Sequence, residues 1–187
     1  LHGDRQKALE FTGLKGDRHI LLIIGGSLGS VFINNAVRGA LDDLLQKFEI
    51  IHLCGKGNLD PTLDGKDGYV QYEYISKELP DLFAAADLVI SRAGANAICE
   101  LLALHKPNIL IPLSRNASRG DQILNAESFK KQGFSYVIEE KDVNEKTLTE
   151  AINYVADHKD EYKKAMADSG QMDSISKIVS LIKEYAI

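Results

Sequence analysis

Cysteine is scarce: only Cys54 and Cys99 occur in 187 residues, in no C-x-x-C pair and with no histidine at ligand spacing. A disulfide scaffold and a thiolate metal centre are therefore excluded, and both residues read as reduced, buried thiols. No apolar run approaches the ~20 residues that span a bilayer, and no secretory signal opens the chain. Basic residues are not in excess, since 22 Lys and Arg face 27 Asp and Glu for a net charge of −5. That balance argues against binding nucleic acid by general phosphate neutralisation. Low-complexity tracts and internal repeats are missing. So are D-x-D, H-E-x-x-H and G-x-S-x-G, and His19, His52, His105 and His158 lack partners at metal or triad spacing. Neither a metal site nor a hydrolase nucleophile nor a bound cofactor is expected, and a lone strand histidine reads as a satisfied structural residue.

What is present centres on HILLIIGGSLGSVFINN, His19 to Asn35. The apolar run Ile20 to Ile24 ends at Gly25-Gly26 and reads as a strand buried on both faces. After Ser30 the pattern turns helical, with Val31, Ala36, Val37, Ala40 and Leu41 on one face. A strand, a glycine turn and a helix start gather free N–H groups at a positive dipole end, the recipe for holding phosphate or diphosphate. Gly25, Gly26 and Gly29 would keep side chains out of the way, and Ser27 would add a hydroxyl. The motif is neither G-x-G-x-x-G nor a P-loop, so a turn that needs glycine only for its geometry stands beside the anion reading.

Along the chain, residues 1–18 read as a helix remnant and turn. Further strands are expected at Phe48–Cys54, Tyr69–Tyr74, Asp87–Ser91, Asn108–Leu113 and Tyr136–Ile138. The glycine-rich segment Asn58–Gly68 reads as loop. Helices are expected at Leu79–Ala86, Ala97–Leu104, Asp121–Gln132, Asn144–Val155 and Glu161–Ile187. This alternation predicts an α/β fold, a doubly wound, mainly parallel, Rossmann-like sheet of about six strands. Ligands bind such sheets at the carboxyl ends of the strands, where Gly25–Ser30, Ser91–Asn96 and Ser114–Gln122 would converge. The start at Leu1, without methionine, suggests one domain of a longer protein.

Several side chains in these loops admit two readings. Glu100 either faces solvent or pairs with a nearby cation such as Arg92, or it accepts the vicinal hydroxyls of a ribose. Arg92 either neutralises a phosphate or serves only that pair. Asp121 suits a helix start for dipole reasons alone, and Gln122 is either a surface residue or a sugar-hydroxyl partner.

GGSLGSVFINN, ISRAGANAICELLALHKPNILIP and the D-Q-x-x-N-A of Asp121 to Ala126 occur in an order and spacing that resemble the carboxyl-terminal half of the MurG family. Residues 19–185 carry the resemblance. MurG enzymes are GT-B glycosyltransferases of peptidoglycan synthesis, moving N-acetylglucosamine from UDP-N-acetylglucosamine onto lipid I to make lipid II. The resemblance implies that Gly25, Gly26 and Ser27 face the diphosphate, and that Arg92, Gly94 and Ala95 line the nucleotide pocket. It implies that Glu100 takes the ribose hydroxyls, that the main chain at Tyr74-Ile75 reads uracil, and that Asp121, Gln122 and Asn125 surround the sugar. It places the acceptor site, the catalytic base and the peripheral contact with the cytoplasmic membrane face in a preceding half, so no catalytic residue is expected here. The sequence differs from the usual pattern at Leu28, Ser30 and Val31, where Gln, Ala and Arg are commoner, and at Asp121.

A non-catalytic nucleotide-binding module and another GT-B activity (a 2-epimerase or a glycolipid synthase) are the competing readings. A dehydrogenase fits less well, because His52-Leu53-Cys54 stands where an acidic residue should end the second strand.

Overall fold

The computed structural model describes residues 3–26, 29–114 and 120–170. In chain order the elements are α1 (Arg5–Thr12), β1 (His19–Ile24), α2 (Val31–Gly39), α3 (Leu41–Leu44), β2 (Phe48–Leu53), β3 (Tyr69–Tyr72) and α4 (Leu79–Ala85). They continue with β4 (Leu88–Ser91), α5 (Ala95–Ala103), β5 (Asn108–Leu110), α6 (Asp121–Lys131), β6 (Tyr136–Val137), α7 (Glu145–Asp157) and α8 (Lys159–Asp168). Short 3-10 turns lie at Pro61–Leu63 and Glu140–Asp142.

The six strands form one sheet in the order β3-β2-β1-β4-β5-β6, and every pairing is parallel. This is the expected doubly wound fold, with its reversal of winding between β1 and β4. The strand alternation divides the core in two. Ile20, Leu22, Ile51, Val89 and Leu110 face one way, onto Leu82 and Phe83 of α4, Leu101 of α5, Phe129 of α6 and Met166 of α8. Leu21, Ile23, Ile50, Ile90 and Ile109 face the other way, onto Ile33 and Val37 of α2, Leu44 of α3 and Ile152 of α7. Because β1 and β2 are covered on both faces, β1 from Ile20 to Ile24 is a continuous apolar run and β2 is mostly apolar, neither of them alternating.

Two polar residues interrupt β2, and each has a partner. Glu49, fully buried, accepts the N–H groups of Lys15 (2.9 Å) and Gly16 (2.6 Å) and so fixes the turn entering β1. His52 belongs to the network described below.

Some expectations are corrected. Val31 is 62% exposed, because Ile33, Ala36 and Val37 set the buried face of α2 and a residue two positions before Ile33 lies well round the helix from it. Cys54 is buried as expected, but Cys99 is exposed, since Ile98, Leu101 and Leu102 form the inner face of α5. That helix starts at Ala95 rather than Ala97. The last helix begins at Lys159 rather than Glu161, whereas Asn58–Gly68 is mostly loop as expected, with one 3-10 turn at Pro61–Leu63. The part of that helix expected beyond residue 170 lies outside the described residues.

Candidate functional site

The carboxyl ends of β1 and β4 meet at the winding reversal, and the glycine turn sits on top of them. Gly26 takes φ +95° and Gly29 takes φ +74°, conformations that favour glycine. The Gly29 N–H closes the turn on the Gly26 carbonyl at 3.0 Å. A Cβ at Gly25 would lie 2.9 Å from the Ser30 nitrogen, and one at Gly29 would overlap the Cys54 carbonyl oxygen. Ser30 then caps α2, its hydroxyl accepting from the Ile33 N–H at 3.4 Å. Ser27 lies outside the described residues.

Two buried hubs hold this turn from opposite sides. On the β4 side, Arg92 is only 8% exposed. Its guanidinium donates to the Ser30 hydroxyl (2.7 Å), the Ile111 carbonyl (3.0 Å) and Glu140 Oε1 (2.5 Å). One side chain thus ties the start of α2 to the exits of β5 and β6. The pairing of Arg92 with Glu100, one of the readings of these residues, does not occur. Its counter-ion is Glu140, and its guanidinium is committed inward.

On the β2 side, Asn34 Nδ2 donates to the Cys54 carbonyl (2.9 Å), the oxygen against which Gly29 packs. The amide oxygen of Asn34 lies 2.9 Å from His52 Nε2, and His52 Nδ1 lies 3.0 Å from the Tyr69 hydroxyl. Since Asn34 must offer its oxygen to the ring, the His52 proton belongs on Nε2 and Tyr69 donates to Nδ1. Burial, helped by the nearby Arg38 charge, pushes the His52 pKa down to about 3. The ring is therefore a neutral bracket, as expected of a structural strand histidine.

The remaining predicted residues gather at the same edge. Gly94 precedes α5 with no side-chain cap, leaving the first-turn N–H groups beside exposed Ala95 open to a ligand. Asn125 Nδ2 donates to the Ala93 carbonyl (3.0 Å), and Gln122 Oε1 accepts from the Leu113 N–H (3.1 Å). Both side chains fasten α6 to the exits of β4 and β5. Asp121 is exposed in the first turn of α6. Past β3, Tyr74 is 68% exposed, whereas Ile75 is buried in the core.

Glu100 lies on the side of α5 turned from Ile98 and Leu101, partly buried, its carboxylate making no hydrogen bond among the described residues. Burial raises its carboxyl above the ordinary glutamate range. A desolvated carboxylate without a protein donor suits a hydroxyl-bearing ligand. A cavity of about 440 Å³ lies behind α6, between Ile123 and Lys130 on one side and Val137 and Glu139 on the other. None of the predicted donor residues lines it. The candidate site is the open edge above β1 and β4.

Sequence reasoning missed Glu140 and Asn34 as parts of this edge. Glu140 sits in the charged run Glu139–Asp142, which looks like any solvated loop. Asn34 carried a readable signal, a polar residue directly after Ile33 on the buried face of a helix.

Residues 20–184 match the family described as glycosyltransferase family 28 C-terminal domain. A UDP-N-acetylglucosamine–N-acetylmuramyl-(pentapeptide) pyrophosphoryl-undecaprenol N-acetylglucosamine transferase of Lachnoclostridium phytofermentans is 59% identical over 185 residues, covering 99% of this chain and 52% of the relative. The protein of that name from Lachnospira eligens is 54% identical over 184 residues, covering 98% and 52%. The chain spans about half the length of the curated relatives it matches. Among solved structures, Acinetobacter baumannii MurG superposes with a TM-score of 0.72 at 21% identity, over 97% of this chain and 53% of that one. The glycosyltransferase VinC in complex with dTDP gives 0.68 at 15%, over 93% and 43%. The all-parallel sheet is that of a GT-B glycosyltransferase domain.

Proposed function

This chain belongs to the glycosyltransferase family 28 C-terminal domain family, and on that premise we propose that it is the donor-binding half of a MurG-type UDP-N-acetylglucosamine transferase making lipid II from lipid I. The observation that carries the reading is the convergence of the glycine turn, the uncapped start of α5 and the α6 pair Gln122 and Asn125 at one sheet edge.

In this reading Gly25, Gly26 and Ser27 face the diphosphate, with Gly94 and Ala95 offering main-chain N–H groups beside it. Glu100 accepts the ribose hydroxyls, and the backbone at Tyr74-Ile75 meets the uracil edge. Asp121, Gln122 and Asn125 border the sugar. Arg92 lines this pocket from beneath. It acts by holding Ser30, and so the start of α2, rather than by touching phosphate.

The reaction is an inverting displacement at the anomeric carbon. The departing UDP gathers negative charge where helix-start N–H groups are already aimed, so this half supplies electrostatic stabilisation of the leaving group. Acceptor, catalytic base and contact with the cytoplasmic membrane face belong to the remainder of the two-domain enzyme. No helix among the described residues is long and apolar enough to cross a membrane. Val31, Phe32, Tyr74 and Leu124 are exposed apolar residues, and an apposed second domain would shield those at the strand exits.

Calorimetric titration with UDP, UDP-N-acetylglucosamine and NAD tests the reading. Binding of both uridine ligands, its loss in Glu100→Ala and no response to NAD are expected. Equal response to NAD, or binding indifferent to Glu100, would overturn it. The 187-residue chain alone should form no lipid II, and detectable product would show that the chemistry does not need the other half.

A further inference from the structure

At the sheet edge opposite the glycine turn, the ends of α4 and α5 and the flank of α8 enclose a cavity of about 430 Å³. Its ionisable lining is Arg5, Asp87, His105, Lys106, Lys163 and Lys164. Arg5 and three lysines thus meet a single carboxylate, in a chain whose net charge is −5. One oxygen of that carboxylate is engaged, since Asp87 Oδ2 accepts the Ile20 N–H at 2.9 Å and lies 3.6 Å from His19 Nδ1.

Two of the cations have a structural duty. Arg5 Nη1 donates to the Ala85 carbonyl (2.6 Å) and Lys106 Nζ to the Ala86 carbonyl (2.8 Å), satisfying the end of α4. One bond leaves a guanidinium four further N–H groups and an ammonium two. The end of α5 is closed as well: the His105 and Lys106 N–H groups donate to the Leu102 and Leu101 carbonyls. His105 adopts φ +48° to do so, a conformation usually left to glycine, and this turn carries Lys106 across to Ala86. Helix-end carbonyls that would oppose an anion are therefore partly masked. Lys163 and Lys164 make no ion pair among the described residues. Burial, with Lys163 and Arg5 nearby, lowers the Lys106 pKa against the pull of Asp87. A bound anion would relieve that mutual repulsion.

We propose that this cavity is an anion site for a phosphate-bearing group, a phosphomonoester or diphosphate, separate from the glycine turn. Soluble molecules and phospholipid headgroups both carry such a group, and the recognition chemistry is shared.

The test titrates the chain with inorganic pyrophosphate at low salt, with UDP saturating the other edge, and follows backbone amide shifts of His105 and Lys106. A saturable response is expected, weakened about tenfold in Lys163→Glu/Lys164→Glu and progressively by added salt. Both lysines are exposed, so the variant should keep its melting temperature and its response to UDP. Co-sedimentation with phosphatidylglycerol vesicles, against phosphatidylcholine vesicles, separates the sources. Retention by the former alone, lost in the double variant, identifies a headgroup, whereas pyrophosphate binding without retention identifies a soluble ligand. Absence of both responses, or responses unchanged by the charge reversal, would overturn the proposal. The readouts are independent of the donor site, so failure here leaves the UDP reading standing.

Discussion

The two hubs that hold the glycine turn solve one mechanical problem with opposite chemistry. On the β4 side a charged guanidinium gathers Ser30, Ile111 and Glu140, and it is stable there only because a carboxylate accompanies it. On the β2 side a neutral imidazole joins Tyr69 to Asn34, which grips the Cys54 carbonyl, and it is stable there only while it stays uncharged. A buried charge does not tolerate the loss of its partner. A buried neutral bracket has no counter-ion to lose but fails when protonated.

The largest effect should come from breaking the charged hub on one side only. Glu140→Ala leaves the Arg92 guanidinium buried without a counter-ion and should cost about 3–5 kcal/mol in chemical denaturation. The double replacement Arg92→Met/Glu140→Leu should cost less than that single change, because it removes charge and counter-charge together. A double variant at least as unstable as the single would mean that the hydrogen bonds to Ser30 and Ile111, not the ion pair, dominate this hub.

Acid probes the neutral hub. The His52 pKa is depressed from about 6.5 to about 3, so the unfolded chain binds the extra proton between those values. The stability this ring contributes is complete above about pH 6.5 and declines as pH falls toward 3, by about 3 kcal/mol at pH 4. Urea midpoints across that range should show the decline, and His52→Gln should flatten it. An unchanged slope in the variant would shift the effect to other groups.

How much of this was legible depends on the range of the interaction. The strands of the double-sided sheet announced themselves, because β1 and β2 must be apolar on both faces, and the glycine turn followed from the abrupt end of β1. That Gln122 belongs near the strand exits was also readable, from its place at the start of a helix after a loop, whereas Asn125 was reached only through the family resemblance. The hub contacts were not. Arg92 and Glu140 are 48 residues apart and their pairing depends on β5 and β6 lying side by side. Nothing local distinguishes Glu140 from its exposed neighbour Glu139. Helix faces were misread where one or two residues decided the register, as at Val31 and Cys99.

The glycines that lie between the hubs sharpen the contrast further. Gly29→Ala combines a left-handed backbone with a clash on the Cys54 carbonyl, the atom the neutral hub fixes, and should cost more than about 2 kcal/mol. Gly26→Ala keeps the backbone penalty but meets only Arg92 Cγ, at 3.9 Å, and should cost about 1 kcal/mol. Equal melting shifts would mean that the Cys54 wall yields, and the β2 hub would then not be rigid.

The smallest effect on stability should come at Glu100, which belongs to neither hub. Its carboxylate makes no hydrogen bond among the described residues, and burial already disfavours its charge, so Glu100→Gln should change stability by less than about 0.5 kcal/mol. Its effect on UDP should be disproportionate. An amide offers one acceptor oxygen where the carboxylate offers two with charge, so affinity for vicinal hydroxyls should drop about tenfold or more. The hub variants invert this pattern, since they destabilise the fold and weaken UDP only through the turn they hold. A Glu100→Gln protein that melts normally and binds UDP normally would remove the carboxylate from the site while leaving the glycine turn and both hubs in place.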